Sequence, residues 1–172
     1  MSEAAAPEVG QPLREGVRLP AAEFLRIGPA GPERVALGPL LDGARVAIFA
    51  VPGAFTPTCD SAHLPSFVRT ADAFRARGVA HILCISVNDP HVMRRWGMEA
   101  GAEAAGITML ADPAAAFTRA VGMAFSAPEA GFFDRSRRYA MLVEDGIVTA
   151  LNVEEARGVC EVSAGEALLG RL

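Results

Sequence analysis

Cys59 stands in the stretch VPGAFTPTCD, Val51 to Asp60, three residues after Thr56 and seven after Pro52. Thr56 suits a helix N-cap and Pro57 the first helical position, which predicts Cys59 in the opening turn. The positive end of the helix macrodipole and the unpaired backbone N–H groups there both favour thiolate over thiol. A thiolate is the nucleophilic form of cysteine, so the position suits attack on an electrophile. Pro52 and Pro57 stiffen the loop, and Gly53 lets the backbone turn tightly beside the sulfur. The Thr56 hydroxyl is close enough in sequence to orient a small polar substrate. An ordinary strand-to-helix loop with an incidental buried cysteine would show the same local pattern.

Two further cysteines, Cys84 and Cys160, make an odd total with no CxxC spacing. They predict neither a disulfide framework nor a zinc site. Cys84 lies within ILCISV, where a small apolar side chain fits a buried strand. His63, four residues after Cys59, falls on the same side of the expected helix. His81 opens a strand and His91 a helix, and both read as structural. A Cys–His protease fits poorly, because nothing supplies the orienting Asn or Asp or a peptide groove.

The elements that must carry these residues alternate. AAEFLRI is a strand candidate followed by a GPAGP turn, and ERVALGPLLDG mixes a strand end with a short helix. ARVAIFA and AHILCISV are apolar runs of the kind that form buried central strands. Between them Leu64, Phe67, Val68, Ala71 and Phe74 form an apolar helical stripe. Pro65 inside that stripe predicts a kink, since it leaves the Ser61 carbonyl without its donor. Asp89-Pro90 opens a helix through Val92, Met93 and Trp96. ITMLA reads as a strand, PAAAFTRAVGM as a helix and FSAPEAGFFDRSR as irregular. YAMLVEDGIVTALNV reads as a hairpin turning at Asp145-Gly146. Ser163 with Glu166 suggests a capping box for a last helix. The pattern is α/β, with helices flanking a central mixed sheet.

Composition sets the outer bounds. The 172 residues suffice for one domain with a real core, and 51% hydrophobic against 21% charged residues is a globular balance. A net charge of −4 argues against nucleic acid or an anionic membrane surface as partner, with Arg135, Arg137 and Arg138 the nearest approach to a basic cluster. All 16 basic residues are arginine, which excludes a Walker phosphate loop and Schiff-base chemistry at lysine. MSEAAAPEVG has no secretory pattern and no apolar run is long enough to span a bilayer, so the expected location is cytoplasmic.

VPGAFTPTCDSAHLPSF resembles the active-site segment of the type II, or atypical two-cysteine, peroxiredoxins. The pattern Pro-x-x-x-Thr-x-x-Cys falls on Pro52, Thr56 and Cys59. SVNDP, VMxxWG, LADP, RSRRYAMLVEDG and ALNVEE extend the likeness from about Gly16 to Leu172. The resemblance implies a thioredoxin-like fold over residues 17–172, behind a flexible tail at 1–16. It implies reduction of hydroperoxides by a Cys59 thiolate through a sulfenic acid, with Thr56 holding the peroxide and Pro52 shielding the product. It implies Arg138 as the arginine that stabilises the thiolate, His63 as a neighbour of the site, and Trp96 as a packing residue.

Some type II enzymes carry a resolving cysteine in the stretch of Cys160, which stands about one residue ahead of the expected position. Others are recycled by glutathione, glutaredoxin or thioredoxin. No cofactor or metal is implied, and a homodimer is. A thiol–disulfide oxidoreductase is disfavoured by the missing CxxC; a non-enzymatic redox sensor is the remaining alternative.

Overall fold

The computed structural model describes residues 13–172. Seven strands form one mixed sheet in the order β2-β1-β5-β4-β3-β8-β9. They are β1 (Glu23–Gly28), β2 (Gly31–Ala36), β3 (Arg45–Val51), β4 (Val79–Ser86), β5 (Thr108–Ala111), β8 (Tyr139–Glu144) and β9 (Ile147–Val153). The centre, β5-β4-β3, is parallel, and β8 and β9 extend it antiparallel. The Asp145-Gly146 turn places both residues at positive φ, 46° and 80°, as a two-residue hairpin requires.

The pleat of β3 divides the core. Ala47, Phe49 and Val51 face one layer, with α2 (Leu64–Ala76), α3 (Pro90–Glu99) and α5 (Gly165–Leu169). Val46, Ile48 and Ala50 face the other, with α1 (Leu37–Leu41) and α4 (Ala116–Ala120). Two-sided burial explains why β3 and β4 are near-continuous apolar runs. Asp89 caps α3 as expected, its carboxylate accepting from the His91 and Val92 N–H groups at 2.9 and 3.0 Å.

Three expectations need correction. Residues 13–16, assigned to the tail, are packed: Leu13 is buried, and Gly16 N–H donates to the Val148 carbonyl at 2.8 Å. The chain there covers the exposed edge of β9; the rest of the expected tail lies outside the described residues. FSAPEAGFFDRSR is not irregular but a second small sheet, β6 (Ala124–Ala127) with β7 (Phe132–Ser136), joined through a 3-10 turn at Pro128–Ala130. The Ser163–Glu166 capping box does not form. Ala164 occupies the cap of α5 without a side-chain bond, Glu166 pairs with Arg69, and the Ser163 hydroxyl donates to Glu154.

Candidate active site

β3 ends at Val51 and the chain enters the loop that delivers Cys59. Asn88 holds this loop from the end of β4, accepting from Ala54 N–H at 3.0 Å and from the Ser86 hydroxyl at 2.6 Å. Phe55 takes a positive φ of 62°, a strained conformation for a bulky residue, and leaves its ring exposed. Gly53 leaves room for its neighbours: a Cβ there would sit 2.8 Å from Arg135 Nη1 and 3.1 Å from Thr56 Cγ2, so a side chain would displace the Arg135 guanidinium. Arg135 in turn donates to the Pro52 carbonyl at 3.3 Å.

The helix starts as expected, but its first stretch, Cys59–His63, is a π-helical turn closed by Leu64 N–H on the Cys59 carbonyl. Pro65 follows directly at the start of α2. Pro65 cannot donate to the Ser61 carbonyl, and the irregularity of the helix is this wider turn directly before it. Cys59 and His63 are both buried, on one side of the helix as their four-residue spacing predicts. Trp96 packs as expected and also donates from Nε1 to the Asp60 carboxylate at 2.8 Å, tying the turn to α3.

Around the sulfur, polar groups converge within a buried setting. Cys59 is 1% exposed. Thr56 Oγ1 lies 2.9 Å from its Sγ and 2.7 Å from the Gly53 carbonyl, so one hydroxyl proton has two acceptors in reach. Arg138, from the junction of β7 and β8, donates from Nη2 to the same sulfur at 3.2 Å. Its Nη2 also donates to the Arg157 carbonyl at 3.0 Å, and its Nη1 to His63 Nδ1 at 3.0 Å. The Arg138 Nε–H is buried and meets no acceptor among the described residues.

His63 is neutral. Burial, reinforced by the Arg138 charge, pushes its imidazole down to about 3. Its Nε2 lies 2.9 Å from the Ser163 carbonyl. Since neither that carbonyl nor a guanidinium can exchange roles, Nε2 carries the proton and Nδ1 accepts from Arg138.

All three cysteines are free. Cys84 is fully buried in β4, and burial pushes its thiol well up, so it is an inert group in this conformation. Cys160 is partly exposed in the loop after β9, 3.9 Å from the Ser163 hydroxyl. Burial raises its thiol, and Ser163 links it to the site, since the Ser163 carbonyl meets His63 Nε2 at 2.9 Å. A cavity of about 200 Å³ opens beside Arg138, bordered by Phe125, Arg137, Glu154 and Arg157. Two larger clefts, about 540 and 450 Å³, lie elsewhere and are lined by no cysteine or histidine. Among the described residues no three His, Cys, Asp or Glu side chains are grouped to hold a metal ion. No helix among them is long and apolar enough to cross a membrane.

The family described as Redoxin matches residues 10–169. Peroxiredoxin-2E-2, chloroplastic, of Oryza sativa subsp. japonica is 43% identical over 157 residues, covering 89% of this chain and 70% of that protein. This chain is a peroxiredoxin. Peroxiredoxin-2B of Arabidopsis thaliana is 40% identical over 133 residues, covering 77% of this chain and 81% of its own. The reduced Prx3 from Vibrio vulnificus, solved in complex with H2O2, superposes with a TM-score of 0.85 at 44% identity, over 92% of this chain and 98% of that one. The fold is accordingly the thioredoxin-like fold of the peroxiredoxins. The protein is an oxidoreductase, a thiol-dependent peroxidase with an antioxidant function.

Of the residues singled out from the sequence, Thr56, Cys59, His63 and Arg138 come together around one sulfur, Pro52 is buried in the loop before them and held by Arg135, and Cys160 reaches them only through Ser163. Sequence reasoning missed Asn88, Asp60, Arg135 and Glu154. VPGAFTPTCD, SVNDP, RSRRYAMLVEDG and ALNVEE contained all four, but only long-range contacts reveal that Asn88 anchors the loop and that Glu154 gathers the segment around Cys160.

Proposed function

We propose that Cys59 is the peroxidatic thiol and that it reduces hydrogen peroxide and organic hydroperoxides through a sulfenic acid. The carrying observation is the convergence of Thr56 Oγ1 at 2.9 Å and Arg138 Nη2 at 3.2 Å on one buried sulfur. The thiolate attacks the terminal peroxide oxygen; an S–O bond forms as the O–O bond breaks, and the alkoxide or hydroxide leaves and takes up a proton. Sulfur loses the two electrons that the peroxide gains. Thr56, donating to Gly53, keeps lone pairs free to accept from the peroxide O–H. Arg138, with its unpartnered Nε–H, stabilises the charge that develops on the oxygens. Pro52 shields the sulfenic acid by closing the loop side of the pocket.

A thiol then attacks the sulfenic acid, releasing water and forming a disulfide. Cys160 is the internal candidate for this step, and Cys84 is not, because it is locked in the sheet. A second thiol, from glutathione, glutaredoxin or thioredoxin, returns Cys59 to its reduced form. We further propose a homodimer, for which the exposed Phe55, Met98 and Phe133 offer apolar surface, and a cytoplasmic location, consistent with three free thiols. Sedimentation and cell fractionation test these two.

Intact mass after one equivalent of peroxide tests the chemistry. A gain of one oxygen, or a loss of two hydrogens, mapped to a Cys59 peptide is expected. Either change mapped only to Cys84 or Cys160 overturns the assignment.

A further inference from the structure

Glu154 follows β9 and is 5% exposed, an unusual position for a carboxylate. Its Oε2 accepts from Glu161 N–H at 2.9 Å, Ser163 N–H at 2.9 Å and the Ser163 hydroxyl at 2.6 Å, and its Oε1 from Val162 N–H at 3.3 Å. The carboxylate thereby closes residues 155–163 into a compact loop that contains neither helix nor strand. Apart from contacts to the site itself, the loop's other side-chain ties are weak: Thr58 Oγ1 reaches the Gly158 carbonyl at 3.3 Å, and Arg157 pairs with Glu129 at 3.5 Å in an exposed setting.

Two carbonyls of this loop hold the catalytic guanidinium. The Arg157 carbonyl accepts directly from Arg138 Nη2, and the Ser163 carbonyl fixes His63, which accepts from Arg138 Nη1. A further tie runs through the backbone, where Glu154 N–H donates to the Arg138 carbonyl at 3.0 Å. An uninterrupted chain of hydrogen bonds therefore links Glu154, Ser163, His63, Arg138 and Cys59.

We propose that Glu154 is a positioning residue for the Cys59–Arg138 pair, its carboxylate gathering the 155–163 loop so that the Arg157 and Ser163 carbonyls aim the Arg138 guanidinium at the sulfur. Burial works to raise the Glu154 carboxyl, but its four hydrogen bonds outweigh that and hold it below the ordinary carboxylate range. It stays an acceptor-only anion, which the four donors need. The inference rests on the reading of Cys59 as the reacting thiol.

The sign of one measurement separates positioning from a direct field. A carboxylate acting only through its charge opposes a nearby thiolate, so removing the charge would favour the thiolate. Loss of positioning acts the other way, because the Arg138 hydrogen bond to sulfur weakens. Other groups around the sulfur are Thr56 and His63 on its own segment, Cys84 in β4 and Cys160 in the loop, and Glu154→Gln leaves their identities unchanged.

The test follows the ultraviolet thiolate absorbance of Cys59 against pH in Glu154→Gln, using Cys59→Ser as background. In Glu154→Gln the half-point is expected to move to higher pH, and peroxide reduction to slow about tenfold, as for loss of one charge-assisted hydrogen bond. Glu154→Asp should recover part of both. Ser163→Ala, which removes a single hydroxyl donor, should shift both in the same direction by less and serves if Glu154→Gln does not fold. A half-point that is unchanged or moves to lower pH in the folded variant overturns the inference, even if the melting temperature falls. If Cys59→Ser itself still reduces peroxide at the normal rate, the reading of Cys59 fails instead.

Discussion

Arg138 donates from Nη1 to Nδ1 of His63 at 3.0 Å, and both side chains are buried. A guanidinium has no acceptor, so the bond requires an unprotonated Nδ1. His63 thus serves as a neutral bracket: one nitrogen is tied to the Ser163 carbonyl and the other to the arginine that faces Cys59.

This bracket makes the protein acid-sensitive. The imidazole titrates at about 3 when folded, against an ordinary 6.5, so between these limits the unfolded chain binds a proton that the native state refuses. The His63 contribution to stability is full above pH 6.5 and is lost as pH falls towards 3, with a slope of up to about 1.4 kcal/mol per pH unit. Thermal melts between pH 7 and 5, where ordinary carboxylates stay ionised, should show falling stability. His63→Gln should flatten that dependence; an unchanged slope would show that His63 is not its source.

Arg138→Lys should behave as a severe loss and not as a conservative change. The guanidinium reaches His63, Cys59 and the Arg157 carbonyl from fixed positions, and a single ammonium cannot reproduce that fork. Stopped-flow oxidation by peroxide should slow by about 10²–10³, the range for removing a preorganised donor from a developing oxyanion. A loss of less than tenfold would mean the guanidinium contributes little to the reacting centre.

Thr56 predicts a contrast between two substitutions. Thr56→Ser keeps the hydroxyl and should retain most of the peroxidase rate. Thr56→Val keeps the shape but removes the contact at 2.9 Å to sulfur, and should slow the reaction by about tenfold. Equal rates for both would indicate that methyl packing, not the hydroxyl, is what matters at this position.

The two remaining thiols should separate cleanly. Cys84→Ala should react with peroxide as the parent protein does, because its thiol is buried in β4 and held protonated. Cys160→Ser should leave a longer-lived sulfenic acid if Cys160 resolves it, read as a persistent gain of one oxygen by mass. Identical oxidation products with and without Cys160 would assign resolution to an external thiol.

Much of the site was legible because its determinants are local. VPGAFTPTCD contains the strand end, the helix start and the cysteine in sequence, though the Thr56 hydroxyl turns to Gly53 and the sulfur instead of capping the helix, and β3, β4 and the β8–β9 hairpin announce themselves by apolar runs and a turn dipeptide. What was hidden depends on contacts distant in sequence. The β6–β7 hairpin is only partly buried and broken by Pro128 and Gly131, so it shows no clean alternation. Ser163 looks like a cap beside Glu166, yet Glu154 claims its hydroxyl from nine residues upstream. The packing of Leu13 to Gly16 depends on the free edge of β9, which only the assembled sheet provides.

The most direct measurement of the central claim is the rate of hydrogen peroxide consumption by Cys59→Ser, beside the parent protein and with the same thiol reductant. Consumption at the background rate of the reductant alone is the predicted result. Consumption at the parent rate would contradict the assignment of Cys59 as the sulfur that attacks peroxide.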